Sequence, residues 1–349
     1  MRIIILGNMG YVGPAVVNEL RQSYPNSFLV GLDTGYFSHC LTGARRLPES
    51  LLDRQIFMDI RDVDFEVIKS FDTVINLIAI SNDIMGELNT QLTEDINFKH
   101  GLRIAEIAKK AGIKNFIFAS SCSVYGEGSS AARTEKDSVN PLTTYAKSKI
   151  DTEIALSSLA NEQFYTTCLR FATACGMSPR LRLDLVLNDF VACALSSNKI
   201  TVLSDGSPWR PLIHIKDMAR AITWAVSRRT NANLKIPNLI LNAGSNEWNY
   251  QIADIAQTVA SLIPKTRVEI NKDAQPDKRS YRVDFSMFEK LAPSHQPKMS
   301  LEQTVRELHE GLSSIKFKDS NFRHSEYMRI QVLLNHQREL RLDSNLRWL

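Results

Sequence analysis

The feature that most constrains this chain is a glycine turn between its first apolar run and an amphipathic stretch. Apolar residues dominate positions 2–6, and the amphipathic stretch follows the turn with helical spacing. A second apolar run, residues 28–32, ends in Asp33. The three turn glycines are Gly7, Gly10 and Gly13. Strand, glycine turn, helix, strand and acid follow one another in the order of a βαβ unit that binds a dinucleotide.

The glycine turn suits a pyrophosphate for physical reasons. Small residues let the backbone approach the phosphates, and a helix N-terminus offers them unpaired N–H groups and a positive dipole. Pro14 fits the first helical turn, where its missing N–H costs nothing. Asp33 can accept both hydroxyls of an adenosine ribose and would repel a 2′-phosphate, and residues 34–37 include no Arg or Lys to bind one. The sequence therefore predicts NAD rather than NADP.

Strands and helices alternate through the first half of the chain. Apolar runs predict further strands at residues 56–59, 73–79, 116–119 and 165–170. Helical spacing predicts helices at residues 63–69, 94–111 and 144–158. This alternation predicts an α/β fold with a doubly wound parallel sheet of the Rossmann type and helices on both faces.

The second half has shorter elements and more prolines, which predicts a change of domain. We expect an NAD-binding domain from residues 1–176 plus about 237–245. A smaller α/β lobe, from about 177–236 and 246–315, would cover the strand carboxyl ends, where ligands of such sheets bind. Residues 316–349 form a tail with one predicted amphipathic helix. The tail packs either on its own subunit or at a subunit interface.

Composition and charge argue against several other classes of protein. A formal net charge of +4 is too slight to indicate nucleic acid or a membrane surface as partner, although it suits a small anionic substrate. The chain has no run of about 20 apolar residues, and its first strand starts so early that we expect no signal peptide. Five cysteines without metal spacing predict free thiols, a reducing cytoplasm and no metal site.

Two motifs carry candidate chemistry. Tyr145 and Lys149 are four residues apart in a predicted helix, so their side chains share one face. A nearby ammonium favours the phenolate, which can take a proton from a substrate hydroxyl as hydride leaves the carbon. Residues 118–126 leave a strand end with several hydroxyls, and a serine there can share that proton. Each motif alone is common at surfaces and turns, but their joint placement after the glycine turn favours catalysis.

Together these motifs resemble the extended short-chain dehydrogenases/reductases that act on nucleotide sugars, over about residues 1–312. The resemblance also rests on Asp59-Ile60, Asn97, the Ser120–Gly126 segment and the run Arg210-Pro211-Leu212-Ile213-His214. It implies that Ser121, Tyr145 and Lys149 are catalytic. It implies that Asp59 and Ile60 flank the adenine and that Asn97 supports the active-site helix. The expected NAD contacts are Gly7, Gly10, Tyr11, Val12, Gly13, Asp33, Asp59, Ile60, Ala79, Asn97, Ser120, Tyr145, Lys149 and Thr173.

The same resemblance implies a nucleotide-diphosphate sugar as substrate. Asn188 resembles an asparagine that meets the substrate phosphates, and Arg210 and Arg279 resemble two arginines that hold the diphosphate. Fork-shaped guanidinium donors suit such an anion. The residues expected to contact the sugar are Ser81, Asn82 and Ser123. Arg180 and Arg182 either favour an acidic sugar or are solvated surface charges.

Departures from the family's patterns narrow the expected reaction. Related 4,6-dehydratases carry acidic residues where this chain has Cys122 and Ser123. Related 3,5-epimerases use a cysteine at the place of Ser123, so we expect Cys122 to be a packed thiol. Thr173 and Cys175 replace an asparagine and a tyrosine that relatives often have. The remaining chemistry favours C4 epimerisation through a transient 4-keto sugar, with NAD recycled in place.

Other functions remain open on the sequence. The first alternative is an NAD(P)H-dependent reductase of a nucleotide 4-keto-6-deoxy sugar. A 4,6-dehydratase and a dinucleotide-binding protein without chemistry are less favoured, the latter because Tyr145 and Lys149 are retained. Relatives commonly form homodimers through a four-helix bundle, which the helices at 94–111 and 144–158 would supply.

Overall fold

A parallel sheet of seven strands forms the centre of the molecule. The computed structural model describes residues 1–81, 89–127, 131–231, 234–271, 273–274 and 279–349. The first six strands are β1 (Arg2–Leu6), β2 (Phe28–Asp33), β3 (Arg54–Phe57), β4 (Thr73–Asn76), β5 (Asn115–Ser121) and β6 (Tyr165–Phe171). Strands β7 (Thr173–Cys175), β8 (Lys199–Val202) and β9 (Trp209–His214) lie outside this sheet, and β10 (Asn238–Ala243) returns to it. The order β3-β2-β1-β4-β5-β6-β10 confirms the predicted α/β fold.

Helices cover both faces of the sheet. They are α1 (Gly13–Ser23), α2 (Phe65–Ile68), α3 (Thr90–Glu94), α4 (His100–Lys110), α5 (Thr144–Leu159), α6 (Val186–Ser197), α7 (Ile215–Ser227), α8 (Ile252–Leu262), α9 (Ser286–Leu291), α10 (Leu301–Ser314) and α11 (Arg329–Arg338). Alternate residues of β1 point to opposite faces. Ile3 and Ile5 belong to the apolar cluster that includes α1 and α7, and Ile4 and Leu6 belong to the cluster that includes α4 and α5. The sheet is therefore doubly wound.

Several predicted elements differ in length from the observed ones, and two of these differences involve candidate site residues. The strand expected at 73–79 ends at Asn76, whose side chain accepts a hydrogen bond from the Ile78 N–H at 3.0 Å and turns the chain. The single helix expected at 94–111 is instead α3, a π-helical turn at Asp95–Lys99, and α4. The first difference concerns the segment that holds Ala79, and the second concerns the turn that holds Asn97.

A smaller set of strands lies beyond the main sheet. Strand β9 pairs in parallel with β7 and antiparallel with β11 (Asn249–Gln251), and β8 pairs in parallel with β12 (Arg267–Ile270). Within the described ranges, every helix is too short or too polar to span a bilayer.

The tail, residues 316–349, packs on its own chain. It contains the predicted amphipathic helix, α11. Phe322 is buried in the cluster of α1, and Leu333, Leu342 and Leu346 are buried in the cluster of α4. These contacts agree with packing on its own subunit, and a contribution of the tail to a subunit interface stays a prediction.

Candidate active site

The glycine turn is sterically restricted to glycine at two positions. Gly7 has φ +84°, a conformation that side chains disfavour. A Cβ on Gly13 would lie 1.9 Å from the carbonyl oxygen of Asn8. Val12, at the N-cap of α1, makes no side-chain capping bond. Pro14 has no N–H and the Ala15 N–H donates to the Val12 carbonyl at 3.1 Å, so among the described residues the Gly13 N–H is the one of the first turn left for another partner. The turn therefore fits the pyrophosphate of a dinucleotide.

Asp33 is held at the end of β2 facing the glycine turn. Its Oδ2 accepts a hydrogen bond from the Met9 N–H at 3.0 Å, and its Oδ1 accepts one from the Gly35 N–H at 2.8 Å. Burial raises the pKa of Asp33, and these backbone bonds act in the opposite direction. Each carboxylate oxygen keeps a further lone pair, which fits the expected contact with ribose hydroxyls.

Asp59 and Ile60 begin a short 3₁₀ turn after β3. The Asp59 carboxylate accepts bonds from Arg61 through Nε at 2.9 Å and Nη2 at 2.6 Å. Ile60 is buried and is the first residue of the turn, so its N–H has no partner within that turn. The turn thus presents an acceptor and a donor side by side, although the expected contact of both residues with adenine stays a prediction.

Asn97 joins the end of β4 to helix α5. Its Oδ1 accepts the Ile80 N–H at 2.7 Å, and its Nδ2 donates to the Ile80 carbonyl at 3.1 Å and to Ser148 Oγ at 3.3 Å. Asn97 lies in the π-helical turn, a feature frequent at functional sites. Ser148 lies between Tyr145 and Lys149, so these bonds hold the helix that carries both candidate catalytic residues.

Lys149 and Tyr145 share one face of α5, beside the end of β5. The Lys149 side chain is buried, and its Nζ donates to the Ala119 carbonyl at 2.7 Å. The Nζ lies 5.4 Å from the centre of the Tyr145 ring and 4.6 Å from that of Phe118. Burial lowers the pKa of Lys149 to about 7, although the Glu153 carboxylate favours its charged form. Tyr145 is half-buried.

The three serines at and just beyond the end of β5 have different environments. Ser121 Oγ accepts the Ser123 N–H at 3.2 Å and caps the turn Cys122–Tyr125. Ser123 Oγ is buried and has no hydrogen-bond partner among the described residues. Ser120 Oγ donates to Glu153 Oε1 at 2.5 Å, so its hydroxyl is directed into the interior, and its expected NAD contact stays a prediction.

A buried ion pair that the sequence did not reveal lies beneath these serines. Arg170 donates to Glu153 Oε2 from Nη2 at 2.7 Å and to the Tyr125 hydroxyl from Nη1 at 3.0 Å. The Tyr125 hydroxyl donates to Asn242 Oδ1 at 2.7 Å. The sequence feature that could have indicated this pair is Glu153, which follows Lys149 by one helical turn on the same face of α5.

Asn188 connects the glycine turn to the distal lobe. It is fully buried, its Oδ1 accepts the Gly176 N–H at 3.0 Å, and its Nδ2 donates to the Tyr11 hydroxyl at 3.0 Å. The Tyr11 hydroxyl in turn donates to the Gly176 carbonyl at 2.6 Å. Both side chains are therefore used inside the protein, and contacts of Asn188 with phosphate and of Tyr11 with NAD stay predictions.

The two arginines expected at the diphosphate lie on neighbouring segments. Arg210 is half-buried in β9 and stacks over Tyr281 at 5.7 Å from the ring centre. The Trp209 N–H donates to Ser280 Oγ at 3.0 Å, which places exposed Arg279 beside the same strand. The structure therefore brings Arg210 and Arg279 to one part of the molecule.

Arg180 and Arg182 are buried, so the interpretation as solvated charges is wrong. Arg180 donates to two backbone carbonyls, those of Phe37 and Ser38, each at 2.8 Å. Arg182 pairs with both carboxylate oxygens of Asp184 at 2.6 and 2.8 Å. Its Nη1 also donates to Ser81 Oγ at 2.8 Å. Arg180 also pairs with Glu49 at 2.9 Å, so neither guanidinium offers an uncompensated charge to an acidic sugar.

The remaining expected positions lie along the same edge of the sheet. Ala79 follows β4 and Thr173 begins β7, and both are half-buried. Asn82 lies outside the described residues. Cys122 is buried and donates to the Arg170 carbonyl at 3.1 Å, and burial raises the pKa of its thiol. Cys122 is thus the packed thiol that was predicted.

Comparison with known proteins identifies the family of this chain. Residues 3–243 match the profile of the NAD dependent epimerase/dehydratase family. The chain is similar to Protein CapI of Staphylococcus aureus, with 25% identity over 73% of this chain and 78% of CapI. It is also similar to UDP-glucuronic acid decarboxylase 6 of Arabidopsis thaliana, with 23% identity over 87% and 86% of the two chains. The UDP-glucuronic acid 4-epimerase of Bacillus cereus has the same fold, with a TM-score of 0.75, 21% identity, and coverage of 90% of this chain and 100% of the other.

Proposed function

The chain belongs to the NAD-dependent epimerase/dehydratase family, and we propose on this premise that it epimerises C4 of a nucleotide-diphosphate sugar. NAD is its cofactor, and the resemblance drawn from the motifs is confirmed. The observation that carries the proposal is the placement of Tyr145 and Lys149 on one face of α5, beside the end of β5, where Ser121 lies. This set supports oxidation and reduction at one carbon without a further acid.

The proposed mechanism assigns one role to each of the three residues. Bound NAD, held by the glycine turn and Asp33, would supply the hydride acceptor and donor for C4 of the sugar. Tyr145 removes the proton of the 4-hydroxyl and gives it back when the keto group is reduced. Lys149, held at 5.4 Å from the Tyr145 ring centre, stabilises the phenolate electrostatically. Ser121 donates a hydrogen bond to the same substrate oxygen.

The hydroxyl of Ser123 supports a sugar contact next to Ser121. Its Oγ is buried and without a partner among the described residues. A buried, unsatisfied polar atom costs about 1–3 kcal/mol, so a sugar hydroxyl that bonds to it would recover this energy. Because Ser121 Oγ accepts the Ser123 N–H, the two serines are held in one geometry.

The residues argue against dehydration. Loss of the 6-hydroxyl needs an additional acid and base near the substrate. The candidate positions hold Cys122, whose pKa is raised by burial, and Ser123, whose hydroxyl is a poor acid. Similarity to a UDP-glucuronic acid decarboxylase keeps decarboxylation as an alternative. Arg180 and Arg182 do not favour it, because they pair with Glu49 and Asp184 inside the protein.

We extend the proposal to a cytoplasmic homodimer. Helices α4 and α5 pack side by side, and Ile154 on α5 is 62% exposed, an apolar side chain that a second subunit would cover. All five cysteines are buried free thiols, which favours a reducing compartment.

The function is tested by NMR of the anomeric protons during incubation with a panel of nucleotide sugars and no added cofactor. We expect one sugar to convert to a second until a fixed ratio is reached. Tyr145→Phe should abolish this conversion while the protein keeps its NAD. The matched control is Tyr24→Phe, which removes a hydroxyl bonded to the Thr223 carbonyl, outside the site, and should convert sugars like the wild type.

Three results would contradict the proposal. Stoichiometric consumption of added NADH by a 4-keto sugar would identify a reductase. Release of carbon dioxide from UDP-glucuronic acid would identify a decarboxylase, and a 4-keto-6-deoxy product would identify a dehydratase.

A further inference from the structure

The tail lies against two segments that contain or follow the residues expected to bind the adenosine of NAD, which are Asp33, Asp59 and Ile60. One segment is residues 34–36, after β2, and the other is Asp59–Asp62, after β3. Leu342 and Leu346 of the tail are 2% and 7% exposed and belong to the same apolar cluster as Ile60. The apolar side chains thus fix the tail at the border of the cofactor site.

Two aromatic side chains join the tail to the first segment. Trp348 Nε1 donates to the Thr34 carbonyl at 2.8 Å. The Tyr36 hydroxyl donates to the Leu346 carbonyl at 2.5 Å, and the Tyr36 and Trp348 rings lie 5.8 Å apart. The backbone that follows Asp33 is therefore covered by the tail.

Two arginines join the tail to the second segment. Arg61 donates to the Asn345 carbonyl at 2.7 Å and to the Leu346 carbonyl at 3.3 Å. Arg347 forms an ion pair with Asp62, and its Nη1 lies 3.8 Å from Asp59 Oδ2. Contacts on both segments make the tail a bridge across the adenosine end of the site.

The bridging turn is ordered by its own hydrogen bonds. Asp343 Oδ1 accepts the N–H groups of Asn345 at 2.8 Å and of Arg347 at 2.7 Å. The Leu349 N–H donates to the Arg341 carbonyl at 3.0 Å. The turn therefore presents Arg347 and Trp348 in a fixed arrangement.

The tail makes little contact with the groups that are expected to bind the cofactor. Among the described residues, no hydrogen bond or ion pair of the tail involves the Asp33 carboxylate, the Ile60 N–H or the glycine turn. The tail thus borders the place expected for adenosine and engages one expected contact there, the Asp59 carboxylate, through Arg347 at 3.8 Å.

We propose that the tail retains NAD, with Trp348 and Arg347 holding it closed over the adenosine end of the site. NAD leaves only after these contacts open, so the tail slows cofactor release. This inference rests on NAD as the cofactor and not on the reaction proposed above. Slow release suits a cofactor that is recycled in place.

Release of NAD from the full-length protein tests the inference directly. The protein is loaded with adenine-labelled NAD and chased with excess unlabelled NAD. We expect the double variant Arg347→Ala/Trp348→Ala to release label at least about fivefold faster, since lost contacts act mainly on the dissociation rate. Tyr36→Phe, which removes only the hydroxyl bonded to Leu346, should give a smaller increase in the same direction.

The matched control is Arg338→Ala/Leu340→Ala. Arg338 bonds to Asn335 within the tail and Leu340 is 77% exposed, so the release rate should equal that of the wild type. An unchanged rate in a double variant with native circular dichroism would overturn the inference. Slower release from the double variant would also overturn it, because the tail contacts would then promote NAD release in the wild type. Sugar conversion is measured separately, so failure of the proposed function leaves this result interpretable.

Discussion

Replacing Glu153 with glutamine should destabilise the protein strongly, although the two side chains have the same shape. Glu153 is 1% exposed and its partner Arg170 is 5% exposed. Arg170 Nη2 donates to Glu153 Oε2 at 2.7 Å, and Nε lies within 3.2 Å of both carboxylate oxygens. The amide of Glu153→Gln keeps one acceptor oxygen but leaves the guanidinium buried without its counter-charge. Breaking a buried pair in this way costs about 3–5 kcal/mol.

The assay is urea-induced unfolding followed by tryptophan fluorescence. The matched control is Glu66→Gln, whose carboxylate pairs with Lys69 at the surface and is 68% exposed. We expect the free energy of unfolding to change by less than about 0.5 kcal/mol in the control. If Glu153→Gln is as stable as Glu66→Gln, the reasoning about the buried pair is refuted.

The same variant should alter the pH dependence of catalysis. Burial lowers the pKa of Lys149 to about 7, and the Glu153 carboxylate opposes that effect. Without this carboxylate, the pKa of Lys149 falls further, and the protonated form is lost at lower pH. The alkaline limb of kcat/KM should therefore move to lower pH in Glu153→Gln, and an unmoved limb would contradict this electrostatic link.

Two further predictions concern acid stability and cofactor binding. Burial raises the pKa of Glu307, but hydrogen bonds from His214 and Lys216 outweigh it and lower the value from 4.5 to about 2. This carboxylate therefore contributes stability above about pH 4.5 that is lost as the pH falls through about 2, about 3 kcal/mol in all, and urea titrations of Glu307→Gln should lack this loss. Gly13→Ala should weaken NAD binding at least about tenfold in calorimetry, because the new Cβ would lie 1.9 Å from the Asn8 carbonyl oxygen.

A specific result would contradict each of these two predictions. An equally steep loss of stability between pH 4.5 and 2 in Glu307→Gln would show that other groups cause it. For Gly13→Ala the control is Gly101→Ala in helix α4, where the nearest atom to a new Cβ is 3.7 Å away. Equal NAD affinity of the two alanine variants would show that the turn has room to adapt.

The elements that the sequence predicted well are those defined by neighbouring residues. The glycine turn, α1 and Asp33 follow from apolar spacing and from residues with special backbone properties, all within about 33 positions. Tyr145 and Lys149 were assigned to one face because helical geometry fixes their separation. The wound sheet followed because alternating strands and helices leave few other topologies.

Features that depend on distant contacts were not predictable. The π-helical turn at Asp95–Lys99 adds one residue to a helix whose apolar spacing looks continuous. From the sequence, Glu153 and Arg170 are expected to be surface charges. The fold brings them into contact although they are 17 positions apart. Trp348 meets Thr34 across 314 positions, and no local pattern encodes such a pairing.

The central claim, that hydride leaves and returns to C4 within one site, is tested most directly with a substrate carrying deuterium at C4. The protein is incubated with this sugar without added cofactor, and both sugars are analysed by NMR and mass spectrometry. The account predicts that all deuterium remains at C4 in substrate and product epimer. Deuterium lost to solvent or found in free nicotinamide cofactor would contradict it.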